Sequence, residues 1–191
     1  MERLHVDEGK GDRMSKIVNE PKNTFPLFVK VREQLEHRAL WLYLLVDEAR
    51  KHGLADDAFA ADAVKRCGLY QGAEIVGKSG TRSLKGLKKV LFTKSAQIVF
   101  EMKVVESTDD KLSIDFHYCP LVKAWQKQGC TDEEISRLCD LAMCGDRGIG
   151  EAHGVELDLP KTIARGLGQV LFQHVALGHG CSFEYKTIAT R

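Results

Sequence analysis

Apolar residues recur at helical spacing in the first half of this chain and at alternate positions in much of the second. Residues 1–23 have little periodicity and are expected to form a loose lead-in to a single domain spanning 24–191. From Thr24, a suitable N-cap with Pro26 in the first turn, Phe28, Val31, Leu35, Leu42, Leu45 and Val46 form a stripe that predicts a long helix ending at Gly53. Its middle, ALWLYLLV, is apolar on nearly all sides, which suits a helix central to a core or one at a subunit interface. A second helix is predicted from Asp56 or Asp57 to Gly68, with Phe59, Ala60, Ala63, Val64 and Cys67 inward. Residues 71–82, QGAEIVGKSGTR, read as a glycine-rich polar loop. Ser83 caps a helix to about Thr93 with Leu84, Leu87 and Leu91 inward.

The period then changes to two, the mark of strands. Ile98, Phe100, Met102 and Val104 alternate with Gln97, Val99, Glu101 and Lys103. Leu112, Ile114, Phe116 and Tyr118 alternate with Ser113, Asp115, His117 and Cys119. Turn residues 107–110 between the two runs predict an antiparallel hairpin. Val155–Leu159 and Cys181–Tyr185 read as two further short strands. Pro120 ends the second strand and opens a helix with Leu121, Val122 and Trp125 inward, stopped by Gly129. Thr131 and Glu134 have the spacing of a capping box. The helix they start, with Ile135, Leu138, Cys139, Ala142 and Met143 on one face, is expected to stop at Gly145 and leave Asp146, Arg147 and Gly148 in a loop. The pattern predicts an α+β fold: an N-terminal helical layer (24–94) packed on a C-terminal antiparallel sheet with intervening helices (95–191).

Composition narrows the class. With 43% apolar residues, 29% charged residues and a net charge of +1, nothing marks a nucleic-acid or membrane partner. The polar N-terminus has no apolar signal region, and the longest apolar run, Ala39–Val46, is too short to cross a bilayer. Six cysteines in such a chain read as reduced thiols, which points to the cytoplasm. Gly72-Ala-Glu-Ile-Val-Gly77-Lys78-Ser79 formally satisfies the phosphate-loop pattern. Its context argues against it, because a phosphate loop follows a strand and opens a helix. No cofactor is expected. Residues 78–94 carry six basic side chains and no acid, either a solvated helix face or a positive rim for an anionic substrate. The apolar long helix favours a homodimer over a monomer.

Candidate chemistry concentrates in residues 112–148. On the predicted strand, Asp115, His117 and Cys119 share a face. Cys119 is a candidate nucleophile: an imidazolium and a helix N-terminus both lower a thiol pKa. The alternative is a structural cysteine at a strand end. His117 could activate the thiol or water, or simply be hydrogen-bonded in place. Asp146 and Arg147 form either part of a site or a structural pair at a helix end, and Asp115 could orient His117. A thiol–imidazole set of His117, Cys119, Cys139, Cys144, His153, His179 and Cys181 raises metal binding as an alternative, but the set contains no C-x2-C spacing.

FHYCPLVKAW, TDEEISRLCDLAM and GDRG together resemble the signature of the L-2-amino-thiazoline-4-carboxylic acid hydrolase family, most closely over residues 95–190. The resemblance implies hydrolysis of a small cyclic amidine bearing a carboxylate, with C–S cleavage. Cys119, His117 and Asp146 would be catalytic, and Arg147 would grip the carboxylate. Asp115, Cys144 and Cys181 would complete the binding surface. The chain departs from the family pattern as well. Cys144 stands where relatives carry an acidic residue, and Gly178-His179-Gly180-Cys181 replaces an acidic, cysteine-containing run, so both changes bear on which heterocycle is accepted. A small-molecule binding or sensing domain without turnover is the alternative function.

Overall fold

The computed structural model describes residues 15–54, 57–165 and 181–187. Among these the helices are α1 (Pro26–Lys51), α2 (Ala58–Ser79), α3 (Leu84–Leu91), α4 (Lys94–Val99), α5 (Pro120–Lys127) and α6 (Asp132–His153). The strands are β1 (Met102–Ser107), β2 (Lys111–Phe116), β3 (Val155–Lys161) and β4 (Cys181–Thr187). The fold is α+β. All strand pairs are antiparallel, in the order β1-β2-β4-β3, which places the chain's last described strand between β2 and β3.

The core lies between the sheet and the helices. Leu112, Ile114 and Phe116 of β2 bury against α3, α5 and α6 side chains, among them Leu87, Trp125, Ile135 and Leu138. Trp125 is fully buried, and its indole N–H donates to Ala39 O of α1 at 3.1 Å, so α5 is tied to the long helix through a satisfied polar atom. The Ser83 cap forms, with Gly86 N donating to Ser83 Oγ, and so does the Thr131–Glu134 capping box.

Several local expectations are corrected. The second helix does not stop at Gly68, and residues 71–79 are not a loop: α2 continues to Ser79. The last helix does not stop at Gly145, and residues 146–148 lie in the interior of α6, which continues to His153. One contact explains both extensions. A Cβ on Gly68 would lie 2.0 Å from Gly145 O, one on Gly72 2.5 Å from the Ala152 methyl, and one on Gly148 2.4 Å from Lys65 O. The two helices meet backbone to backbone at these glycines, closer than side chains normally allow. Each glycine costs about 1 kcal/mol of helix propensity, and the tertiary contact overrides that cost. The phosphate-loop match is therefore part of a helix packed on another helix.

The first predicted strand is also shorter than expected. Residues 94–99 are helical, and Glu101, at φ 50°, turns the chain into β1 at Met102. β2 ends at Phe116 rather than Cys119. Thr24 does not cap α1; Phe25 holds that position without a side-chain cap bond. Val31, Leu45, Phe59 and Cys67 are exposed rather than inward.

Residues 15–23, expected to be loose, are strapped to the body. Asp132 accepts from Ser15 Oγ and Lys16 N, and Glu101 Oε1 accepts from Lys22 N and Asn23 N at 2.6 and 2.8 Å. The basic stretch is partly paired, Lys78 with Glu74 and Lys85 with Asp109, on exposed side chains. Among the described residues no helix is long and apolar enough to cross a membrane.

Candidate functional site

Cys119 is the N-cap residue of α5, with extended backbone, and the helix follows at Pro120. Its backbone is held on both sides by one side chain. Cys119 N donates to Asn19 Oδ1 at 2.8 Å, and Asn19 Nδ2 donates to Cys119 O at 2.9 Å. Asn19 itself is 2% exposed, so the strap supplies a buried two-bond clamp on the candidate nucleophile. The thiol is approached by the backbone N–H groups of Leu121 and Val122, the first free donors of α5. The residue as a whole is half-buried, yet the thiol itself is desolvated, and this burial pushes its pKa up. The two N–H groups and the Arg38 guanidinium oppose the rise, and the Asp146 carboxylate adds to it. The net direction is upward, so Cys119 rests as a neutral thiol that needs a base.

Asp146 is a candidate for that base. It sits half-buried on α6, and burial raises its carboxyl pKa to about 6, with Arg38 the largest opposing influence. A carboxyl poised there both accepts and returns a proton near neutral pH. Its charge also reaches Tyr185 of β4, whose pKa is raised mainly by burial. The Tyr185 hydroxyl is fully buried and has no hydrogen-bond partner among the described residues, an orphan donor within reach of the Asp146 charge. Gly150 packs under it: a Cβ there would meet the Tyr185 ring at an ordinary 3.5 Å and Val155 O at a tighter 3.0 Å.

Cys119 thus lies within electrostatic reach of Asp146, and the other predicted site residues fall as follows. His117 lies beyond the end of β2 and is exposed; its backbone N–H donates to Glu101 O at 3.2 Å. The premise that His117 and Cys119 share a strand face fails, because there is no strand at either residue. Asp115 is on β2, in register with Lys103 and Ser182 of the flanking strands. Cys144 and Asp146 would converge in a loop but cannot on a helix, where two residues turn about 200°. Cys144 donates to Asp140 O at 3.5 Å and accepts from Arg147 Nη1 at 3.9 Å. Arg147 is exposed. Cys181 is in register with Phe116; its side chain, like His179, lies outside the described residues. Among the described residues no cluster of three or more His, Cys, Asp or Glu side chains could hold a metal ion.

Arg38, Asn19 and Tyr185 were not legible as site residues. Arg38 is signalled only as a cation interrupting the apolar stripe of α1, and Asn19 by nothing local. Tyr118, next to Cys119, faces elsewhere: it lines an open cavity of about 190 Å³ with Glu20, Arg32, Glu36, Lys123 and Lys127. The charges of that cavity are mutually satisfied. Lys123 pairs with Glu20 at 2.6 Å, Lys127 with Glu36, and buried Arg32 donates to Val99 O while lying 4.5 Å over the Tyr118 ring.

A thiol at a helix N-terminus, within electrostatic reach of a carboxyl whose pKa burial raises to about 6 on an α+β scaffold, is equipment suited to nucleophilic hydrolysis. The chain belongs to the L-2-amino-thiazoline-4-carboxylic acid hydrolase family, whose profile matches residues 32–169 and so takes in most of α1, all of α2 to α6, and β1 to β3. No curated protein matches the chain. Among solved structures, a trafficking protein particle complex subunit 3 from Naegleria fowleri covalently bound to palmitic acid is similar at 16% identity, with a TM-score of 0.48, covering 81% of this chain and 95% of that one.

Proposed function

We propose that the protein opens a small cyclic amidine bearing a carboxylate, of the 2-amino-thiazoline-4-carboxylate type, by attack at the amidine carbon. The observation that carries the proposal is a desolvated thiol at the N-terminus of α5, clamped by Asn19, within electrostatic reach of a buried Asp146 carboxyl whose pKa is raised to about 6. Asp146 takes the thiol proton as Cys119 Sγ bonds to the amidine carbon, and the N–H groups of Leu121 and Val122 steady the sulfur as charge develops. The adduct collapses by breaking the bond from that carbon to the ring sulfur, which leaves with the proton held by Asp146. Cys119 then carries an S-linked isothiourea. Water adds to the same carbon, giving its proton to Asp146, and the Cys119 thiolate departs and recovers that proton. The product is the N-carbamoyl amino thiol, equal to substrate plus one water.

Arg38 is the cation best placed to receive the substrate carboxylate, because its field already reaches both reacting groups. The orphan Tyr185 hydroxyl is available to a polar atom of the substrate. Arg147, turned towards Cys144, belongs to the rim, and exposed His117 is given no step.

The test is release of free thiol from 2-amino-thiazoline-4-carboxylate by wild type, Cys119→Ser, Cys119→Ala and Asp146→Asn. Loss of release in all three variants is expected. Full release by both Cys119 variants would remove the covalent step and leave water activated by Asp146. No release by wild type, with the compound still raising the melting temperature, would replace the hydrolase reading with binding without turnover.

A further inference from the structure

The outward face of α1 is unlike a solvated helix surface. Its exposed positions 27, 31, 34, 38, 41 and 45 advance by alternate steps of four and three, which keeps them on one face. Leu27 is 62% exposed, Val31 41%, Trp41 61% and Leu45 63%, with Gln34 and Arg38 between the two apolar pairs. Leu44, 45% exposed, widens the C-terminal end. Read along the helix, the order is apolar, apolar, polar, polar, apolar, apolar. That order is unchanged when the helix is reversed.

Reversal symmetry is what a two-fold interface requires, since one patch must complement itself. A lipid surface or an unrelated protein imposes no such condition. With an axis midway between Gln34 and Arg38, an antiparallel second helix sets Leu27 against Leu45 of the partner subunit and Val31 against Trp41 of the partner subunit. Gln34 then meets Arg38 of the partner subunit, and its amide oxygen can accept from the guanidinium. The alternating four–three steps suit two helices crossing at a shallow angle. The stripe is about 27 Å long at 1.5 Å per residue.

We propose that α1 is a self-association surface through which two copies of this chain pair antiparallel about an axis at Gln34–Arg38. The pairing places Arg38 under the partner's helix, so the second copy closes the exposed side of the cation that acts on Cys119 and Asp146. The pairing itself stands whether or not Cys119 turns over a substrate.

Sedimentation of the full chain across a concentration series reads the association. Wild type should sediment as a reversible dimer, Trp41→Glu should weaken it by at least about 30-fold, and Val105→Glu, an exposed apolar position on β1, should leave it unchanged. Register is read by disulfide trapping in a Cys67→Ser background. Leu27→Cys mixed with Leu45→Cys should cross-link, and neither alone should, because like positions lie about 27 Å apart. A monomer at every concentration, a dimer indifferent to Trp41→Glu, or cross-linking of Leu27→Cys with itself would each overturn the proposal. A monomeric wild type that sediments with phosphatidylcholine vesicles would assign the stripe to lipid instead.

Discussion

Replacing Gly68 with alanine tests the contact that carries both long helices through their glycines. In isolation the change adds about 1 kcal/mol of helix propensity. In place, the new methyl carbon would lie 2.0 Å from Gly145 O, 2.7 Å from Gly145 C and 2.9 Å from its Cα. All three are backbone atoms, so no rotamer change relieves the clash, and α2 and α6 must part by roughly 1 Å or more to restore ordinary contact. Such overpacking costs about 1–3 kcal/mol in ordinary cores and more against backbone. Net destabilisation of about 2 kcal/mol or more is expected, lowering Tm by about 4–8 °C for a chain of this size. Gly77→Ala is the matched control, since nothing lies within 4 Å of its Cβ position on the same helix. There the propensity gain is uncompensated, and Tm should rise by about 1–4 °C. Thermal unfolding followed by circular dichroism reads both. If Gly68→Ala were as stabilising as Gly77→Ala, the helices would not be in backbone contact. Asp146 lies between Gly145 and Gly148, so Gly68→Ala should also depress thiol release while Gly77→Ala spares it.

Two further outcomes follow from the groups around Cys119. The Asp146 carboxyl is raised from an ordinary 3.8 to about 6, so the folded state favours its protonated form. That contribution is fully present below about pH 4, is lost as pH rises to about 6 and is absent above. Asp146→Asn should therefore match wild type in Tm at pH 3.5 and exceed it at pH 7–8, and a pH series of melting curves showing a constant offset would refute the burial account. Asn19→Ala removes both hydrogen bonds to the Cys119 backbone and should cost about 2–3 kcal/mol. It should also lower kcat for thiol release more than it raises KM, because Asn19 holds the nucleophile and touches no substrate. Equal effects on the two constants would deny it that positioning role.

Much of the scaffold follows from local rules. The capping box at Thr131–Glu134 closes as its spacing requires, Ser83 caps α3, and the turn at residues 107–110 joins β1 to β2 as the alternation demands. These are short-range arrangements, in which the partner of each group lies within a few residues and the sequence names it. The same rules misplace the glycines at 68, 72, 145 and 148. Locally Gly68 and Gly145 read as helix stops, with Gly72 and Gly148 beyond them, and only a facing helix with its own glycines makes all four helix interior. The misplacement carries into the site, because a loop at residues 144–148 would let Cys144, Asp146 and Arg147 converge, whereas the helix fans them out.

By itself the sequence determined that this is an α+β chain of this hydrolase family and put Cys119 and Asp146 among the candidates for its centre, since strand period, caps and the family motifs are all written in near neighbours. Tertiary structure alone decided which groups share that centre. Asn19 reaches Cys119 across 100 residues, Arg38 reaches it from α1, and Tyr185 brings an orphan hydroxyl from the last described strand. Burial raises the Cys119 thiol pKa and lifts the Asp146 carboxyl pKa to about 6, because desolvation depends on what folds around a group and not on what precedes it in the chain.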